Sequence, residues 1–332
     1  MYESDKGNII LTLGKAEKTF LICGHLDTVP IGDINNWDYD PLGQITDEYF
    51  YGRGSADMKG GVAAALGAIK YLNEKYDDSD FKYNIQFLGT SDEEVGLEGA
   101  NASLDLGLLN NVEFLIVPEP TNLKVGIAEK GVLWLSITAK GKATHGSTPE
   151  MGINAIEELV TIFPTLHSSV PDTSHDILGK STLNIGVING GKSANVVPEQ
   201  ASIQCDFRLI PPYQPNEFGD EIAKMVESLN KGSQASFSCR INQIMPSISS
   251  PTDNMYLSQF RKATGNQEYL GLNYGTDAAV LVSNSPKPLP FVIFGPGNPK
   301  QIHVSNERVK LDELYKAERI FIEFLEQTVI RN

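Results

Sequence analysis

The sequence predicts an α/β protein with a smaller α+β part inserted into it. Three apolar runs of strand length, residues 20–23, 85–88 and 114–117, each lead to a histidine or a carboxylate. Strand ends that carry such groups are typical of one rim of an α/β sheet, where these folds bind their ligands. After Lys130 the apolar period changes, and the element order becomes that of an open-faced sandwich.

The first part is predicted from short apolar runs at both ends of the chain. Its expected elements, in chain order, are a strand at 8–13, the strand 20–23, a helix over 62–69, the strands 85–88 and 114–117, returning segments at 258–263, 278–282 and 291–294, and a closing helix over 311–327. This part therefore comprises residues 1–130 and 248–332.

The inserted part, residues 131–247, is predicted from a β-α-β-β-α-β order. Residues 131–140 alternate between apolar and polar side chains, as a half-buried strand does. The elements that follow are a helix over 154–166, strands at 181–188 and 201–209, a helix over 216–229 and a strand at 235–244. We expect this open-faced sandwich to form a separate domain.

Composition is that of a globular two-domain protein. The 332 residues exceed what one hydrophobic core usually supports, and 41% are hydrophobic. A net charge of −15 argues against nucleic acid or an anionic membrane as a partner. Cys23, Cys205 and Cys239 form no CxxC pair and are expected to be free thiols of a reducing compartment. With no membrane-length apolar stretch and no secretory leader pattern, the expected location is the cytoplasm.

The first candidate cluster is His25 and Asp27 at the end of the strand 20–23. Side chains alternate along a strand, so these two face the same way. A histidine that binds a metal usually gives its other N–H to a carboxylate, which makes His25 a candidate ligand and Asp27 its orienting partner. A surface histidine beside a solvated aspartate is the alternative for this pair alone.

The second cluster places Asp57 in a glycine-dense loop directly before a helix. A carboxylate there is able to bridge two cations about 3.5–4 Å apart. It is equally able to cap the N-terminus of the helix, and the loop alone does not decide between the two interpretations.

The third cluster consists of three consecutive acids, Asp92, Glu93 and Glu94, directly after the strand 85–88. They would repel one another unless cations neutralised them, and adjacent side chains point apart. We therefore expect one of Glu93 and Glu94 to ligate metal and the other to handle protons. A solvated acidic loop is the alternative, but it leaves unexplained why Glu119 repeats the same placement after the strand 114–117.

Taken together, the motifs resemble the M20 metallopeptidase family. The matching segments are GHLDTVP (24–30), GRGSADMKGG (52–61), TSDEEVG (90–96), PEPT (118–121), GKATHGS (141–147), NVVP (195–198) and FGPG (294–297), followed by His303. The resemblance covers nearly the whole chain and is nearest to the acetylornithine deacetylase and succinyl-diaminopimelate desuccinylase branch. Aminoacylase and carboxypeptidase G2 belong to the same family. The resemblance to this family implies a zinc-peptidase-like catalytic domain with a central mixed sheet and an inserted lid or dimerisation domain.

The resemblance also implies a set of roles. His25 and Glu119 would hold one divalent cation, Glu94 and His303 the other, and Asp57 would bridge them. Glu93 would be the general base and Asp27 the orienting residue. Zinc is the expected metal, with cobalt or manganese as substitutes. The implied reaction removes an acetyl or succinyl group from an N-acyl amino acid, a step of amino-acid biosynthesis; a di- or aminopeptidase, or a non-catalytic binding protein on the same fold, is the alternative.

Five further positions are implied as substrate contacts. His145 would reach the active site of a partner subunit and stabilise an oxyanion, which requires a homodimer through the inserted domain. Arg208 would grip a substrate carboxylate, although it shares a strand face with Asp206 and pairing with that residue is the alternative. Polar or backbone contacts are expected from Asn195, Thr276 and Gly295.

One departure from the family pattern concerns the start of the chain. Members of the family carry a helical segment before the first strands, whereas here the strand 8–13 comes almost at once. The metal ligands all lie downstream of it. If that segment packs on the sheet in other members, its absence here exposes an apolar face, which usually means a partner, low solubility or a risk of aggregation.

Overall fold

The computed structural model describes residues 2–3, 7–266 and 268–331. Its strands, in chain order, are β1 (Tyr2–Glu3), β2 (Ile9–Leu13), β3 (Thr19–His25), β4 (Gln44–Ile45), β5 (Tyr49–Tyr51), β6 (Asn84–Thr90), β7 (Val112–Val117), β8 (Val125–Glu129), β9 (Gly131–Lys140), β10 (Ser174–His175), β11 (Gly179–Lys180), β12 (Thr182–Gly190), β13 (Gln200–Leu209), β14 (Ser236–Met245), β15 (Ile248–Ser249), β16 (Tyr269–Leu272), β17 (Phe291–Ile293) and β18 (Arg308–Lys310). Its α-helices are α1 (Lys59–Lys75), α2 (Glu98–Ser103), α3 (Ala155–Thr161), α4 (Phe163–Ser169), α5 (Pro215–Leu229), α6 (Met255–Thr264), α7 (Asp277–Ser283) and α8 (Leu311–Val329).

The chain divides into two compact units. The larger comprises Met1–Ala128, Ser249–Gly271 and Thr276–Asn332, and the smaller comprises Glu129–Ile248 and Leu272–Gly275. Among the described residues, no helix is both long and apolar enough to cross a membrane.

The larger unit is built on a mixed sheet of nine strands in the order β1-β2-β6-β3-β7-β17-β8-β15, with β16 beside β8. The central pairs β6–β3, β3–β7 and β7–β17 are parallel, whereas β2–β6 and β17–β8 are antiparallel. Every residue of β3 is buried, as expected for a parallel strand whose two faces are both covered. The predicted α/β class with a central mixed sheet is confirmed.

Aromatic side chains fill one layer of this core. Phe20 of β3, Phe114 of β7 and Phe260 of α6 are fully buried, and each contacts Phe324 of α8 at ring-centroid distances of 6.1, 5.7 and 4.8 Å. Offset and edge-on contacts of this kind add stability beyond the burial of their area. They fix the closing helix α8 against the strands that carry the candidate ligands.

The smaller unit is a four-stranded antiparallel sheet in the order β12-β13-β9-β14. Alternate residues of β9 and β13, such as Leu135 and Phe207, pack with Leu159 of α3 and Ile222 of α5 in one core. The opposite face of the sheet carries polar side chains and Trp134, which is 43% exposed. This is the alternation that separates a buried face from a solvated one.

The prediction of one continuous helix in the smaller unit is wrong. The helix expected over 154–166 is two short helices, α3 and α4, that meet at Ile162. Pro164 lies in the first turn of α4, where its missing N–H costs nothing. In the interior of one long helix its ring would clash with the carbonyl four residues earlier, so the helix ends and restarts.

Candidate metal centre and active site

The candidate ligands lie at the carboxyl ends of the parallel strands of the larger unit. His25 is the last residue of β3, Glu93 and Glu94 follow β6, and Glu119 follows β7. Since β3 pairs in parallel with both neighbours, these ends lie at one edge of the sheet. His303 follows β17 on a loop and reaches the same place.

Two groups of side chains converge there, and they share Asp57. In one, His25 Nε2 lies 3.2 Å from Asp57 Oδ1 and 3.9 Å from Glu119 Oε1. In the other, His303 Nε2 lies 3.0 Å from both Asp57 Oδ2 and Glu94 Oε1. Within each group the ligand atoms all lie within 4.8 Å of one another. Asp57 thus presents one carboxylate oxygen to each group.

The donor set fits two divalent cations. Among the described residues, the carboxylates of Asp57, Glu93, Glu94 and Glu119 meet the imidazoles of His25 and His303 here. In the described part of the chain no lysine or arginine forms an ion pair with any of them. Such a concentration of buried negative charge needs compensation, which two doubly charged ions supply. Imidazole nitrogen and carboxylate oxygen are ligands of zinc and of related transition metals.

Asp27 connects the two strand ends. Its Oδ1 and Oδ2 accept hydrogen bonds from the backbone N–H groups of Glu93 and Glu94, both at 3.2 Å. Its Oδ1 also lies 3.6 Å from Nδ1 of His25, and its backbone carbonyl lies 3.2 Å from the same nitrogen. Asp27 therefore contacts the ring nitrogen that faces away from Asp57, as the orienting role requires.

Glu93 belongs to neither ligand group, but its carboxylate interacts electrostatically with His25 and Asp57 of one group and with Glu94 of the other. Burial raises the pKa of Glu93 to about 8, and the negative charge of nearby Asp277 acts in the same direction. Burial lowers the pKa of His25, but its hydrogen bonds with Asp27 and Asp57 outweigh this effect and raise the value to about 12. The hydrogen bond with Asp57 raises the pKa of His303 to about 9. In the metal-free protein, protons on Glu93, His25 and His303 therefore compensate the negative charge of the cluster, a task that bound cations would otherwise perform.

These shifts predict that the metal-free protein loses stability as the pH rises. His25, His303 and Glu93 all bind a proton more tightly in the folded chain, so their contribution is full at low pH and disappears as the pH passes their folded pKa values. The lowered pKa of Asp57 contributes at every pH well above its ordinary value of 3.8 and does not oppose this trend. Thermal unfolding of metal-stripped protein should show a lower midpoint at about pH 8.5 than at about pH 6.

The control for this prediction is the same scan after zinc is added back. Bound cations replace the protons, so we expect a much flatter dependence on pH. A midpoint that rose with pH in the metal-free protein would contradict the assignment of these shifts to the cluster.

The helix-cap interpretation of Asp57 is wrong. The N-cap of α1 is Met58, which makes no side-chain cap hydrogen bond, and Asp57 is buried with its carboxylate directed at the two histidines. The paired glycines that open α1 have a packing reason. A Cβ on Gly61 would lie 1.8 Å from the carbonyl oxygen of Pro118, so only glycine lets the helix start approach the loop of Glu119.

Thr276 and Gly295, two of the expected substrate contacts, have structural partners in the larger unit. The Thr276 hydroxyl accepts a hydrogen bond from the N–H of Ala278 at 3.1 Å and caps α7. Gly295 lies against the loop of Glu119, since a Cβ there would come within 2.5 Å of the Pro118 carbonyl oxygen. Gly295 therefore forms a close backbone wall beside a candidate ligand.

The other expected substrate contacts lie in the smaller unit. His145 is exposed, and its Nδ1 accepts a hydrogen bond from the N–H of Ser147 at 3.2 Å. The next residue, Gly146, donates its N–H to the carbonyl of Asn195 at 2.7 Å, so the two predicted loops are neighbours. Arg208 donates to both carboxylate oxygens of Asp206, at 2.8 and 3.0 Å. The pairing that the sequence left open is thus present.

Two buried acids of the larger unit were missed by the sequence analysis as individual residues. Asp277 accepts hydrogen bonds from Thr90 Oγ1 at 2.5 Å and from the thiol of Cys23 at 3.6 Å. It thereby joins the ends of β3 and β6, and burial raises its pKa. Glu307 is fully buried and bonds to the loop of Asp57. Neither acid lies directly after an apolar run, so only the tertiary contacts distinguish them from surface carboxylates.

A comparison of the whole sequence decides the family. Residues 21–327 match the sequence profile described as Peptidase family M20/M25/M40. The chain belongs to the M20 peptidase family. The resemblance inferred from the motifs is confirmed, and this M20 chain is a metal-dependent hydrolase of linear amide bonds.

Named relatives of this M20 chain include two amino-acid deacylases. It is 30% identical to the probable succinyl-diaminopimelate desuccinylase of Staphylococcus aureus strain MSSA476, over 96% of this chain and 85% of that protein. It is also 30% identical to the acetylornithine deacetylase of Proteus mirabilis strain HI4320, over 92% and 78%. Its fold is similar to that of aminopeptidase PepT from Bacillus cereus, with a TM-score of 0.80 and 24% identity over 98% and 88% of the two chains.

Proposed function

We propose that this M20 hydrolase removes an acetyl or succinyl group from an N-acyl amino acid and uses two zinc ions to do so. The observation that carries the proposal is the shared carboxylate of Asp57, with Glu93 beside both ligand groups and outside them. The names of the two deacylase relatives support the acyl substrate. His25 and Glu119 would hold one ion, and Glu94 and His303 the other.

The chain's own residues have distinct tasks in this reaction. Bound zinc ions supply a water of lowered pKa and polarise the amide carbonyl. Glu93 takes a proton from the attacking water and returns it to the leaving amine, which a carboxylate beside the ligands is placed to do. Asp27 holds the His25 ring and, through the two backbone N–H groups, the segment that carries Glu93 and Glu94.

A coupled amine-release screen tests the substrate class. Metal-stripped protein is loaded separately with zinc, cobalt or manganese and offered N-acetyl amino acids, N-succinyl amino acids and dipeptides. We expect turnover of an acylated amino acid and none of the dipeptides. Release from dipeptides alone would instead identify a di- or aminopeptidase, which uses the same ligands. No turnover of any of these compounds with any metal would contradict the proposed substrate class.

We further propose that the enzyme is a cytoplasmic homodimer in which His145 completes the active site of the partner subunit. Because the Ser147 N–H donates to Nδ1 of His145, the neutral ring carries its proton on Nε2. That N–H is available to stabilise an oxyanion on the substrate. Free Cys23, Cys205 and Cys239 accord with a reducing compartment.

Subunit mixing provides a strict test of the dimer proposal. His145→Ala should lower kcat by roughly 10²–10³-fold, the usual effect of losing one oxyanion donor, without weakening metal binding. Mixing inactive Glu93→Ala with inactive His145→Ala protein should restore activity, because one site of the heterodimer has both residues intact. His167→Ala, a change at another histidine of the smaller unit, serves as the control. Exchange of subunits without recovery would remove His145 from the partner's site.

A further inference from the structure

Glu307 is a fully buried acid four residues after His303. Its Oε1 accepts hydrogen bonds from the backbone N–H groups of Ala56 at 3.0 Å and Asp57 at 3.1 Å. Its Oε2 accepts one from Nη1 of Arg53 at 2.6 Å, and its backbone carbonyl accepts the N–H of Gly52 at 3.0 Å. A single residue thus holds the 52–57 loop at four points.

We propose that Glu307 is a positioning residue that fixes the Asp57 carboxylate between the two metal positions. The inference rests on the proposed role of Asp57 as bridging ligand. The hydrogen bond to Glu307 anchors the backbone N–H of Asp57, so its carboxylate is placed mainly by the side-chain torsions. Its Oδ1 lies 3.2 Å from His25 and its Oδ2 lies 3.0 Å from His303. A shift of its backbone would therefore displace a ligand from both sites at once.

The charge arrangement supports a role beyond packing. A carboxylate with no exposed surface is costly to bury, and an apolar side chain would fill the space without that cost. Here the charge is matched by Arg53, whose guanidinium lies 5.2 Å from the ring of Trp37. The remaining hydrogen bonds of the carboxylate are donated by the backbone N–H groups of the candidate ligand Asp57 and its neighbour Ala56. Glu307 and His303 lie on one loop, so the same carboxylate links the loops of two ligands.

Metal titration of the Glu307→Gln variant tests the inference. Zinc is added to metal-stripped protein in a calorimeter, and both sites should weaken by about 10–100-fold, the usual effect of losing an outer-shell partner of a ligand. The isosteric amide keeps the volume, but its NH₂ group cannot accept a hydrogen bond, so either Arg53 or the two backbone N–H groups lose their acceptor.

Glu113→Gln is the matched control. Glu113 is a partly buried carboxylate of the larger unit, and it pairs with Lys287 at 2.6 Å and Lys18 at 3.3 Å. Among the described residues, neither lysine forms an ion pair or a hydrogen bond with a candidate ligand. This variant should lose thermal stability while it keeps wild-type affinity at both metal sites. A fall in affinity in both variants would mean that metal binding merely follows global stability, and the inference would fail.

A second variant keeps the test decisive if Glu307→Gln does not fold. Glu307→Asp retains the charge opposite Arg53 but withdraws the carboxylate by one methylene from the N–H groups of Ala56 and Asp57. We expect the same loss at both sites. A folded variant with wild-type affinity, or a loss confined to one site, would overturn the inference. If Asp57→Ala itself leaves zinc binding intact, the bridging role fails first; if Asp57→Ala loses both ions and the Glu307 variants lose none, only the positioning role is wrong.

Discussion

Glu93→Gln should abolish turnover while two zinc ions stay bound. Glu93 lies outside both ligand groups, so its removal takes away the residue that moves protons and leaves every ligand in place. Loss of a general base typically costs roughly 10²–10⁴-fold in rate, and more when the same residue also delivers the proton to the leaving group. Steady-state kinetics and elemental analysis of one preparation measure both quantities.

Asp92→Asn is the matched control for this experiment. Asp92 is the exposed neighbour in the same acidic loop, and its φ of 55° suits asparagine well. Its activity and metal content should equal those of the wild type. If Glu93→Gln lost about one metal equivalent together with its activity, Glu93 would be a ligand and the division of roles between Glu93 and Glu94 would be wrong.

Asp57→Ala should weaken both metal sites, whereas each histidine variant should weaken mainly one. The two oxygens of Asp57 face His25 and His303 separately, so the substitution removes a ligand from each group. His25→Ala leaves the pair of Glu94 and His303, and His303→Ala leaves the pair of His25 and Glu119. Calorimetric titration of the metal-stripped variants with zinc should show a larger loss for Asp57→Ala than the roughly 10–100-fold typical of an outer-shell change.

The control for the Asp57 variant is Asp47→Ala, which removes an exposed acid from a turn of the same unit. It should bind two zinc ions with wild-type affinity. If Asp57→Ala also bound two ions normally, the shared carboxylate would not be a bridge, and the proposed two-metal centre would have to be reassigned.

The sequence by itself determined the fold class and the order of the candidate ligands. Apolar runs mark buried parallel strands because both faces of such strands are covered, and the residues that follow them must gather at one edge of the sheet. His25, Glu93 and Glu119 are predictable for that reason. The glycines around Asp57 indicated a crowded loop. From the sequence alone, however, an aspartate directly before a helix is equally well interpreted as a helix N-cap.

Only the tertiary structure decided which atoms meet. Asp57 offers one oxygen to each histidine, and Asp27 accepts hydrogen bonds from the N–H groups of Glu93 and Glu94. Arg208 pairs with Asp206. These contacts depend on side-chain geometry, which a periodic sequence pattern does not encode. The bond between Arg53 and Glu307 joins residues 254 positions apart. A buried glutamate and an exposed one are the same residue type in the sequence. Which of them is buried is decided only by the tertiary packing around it.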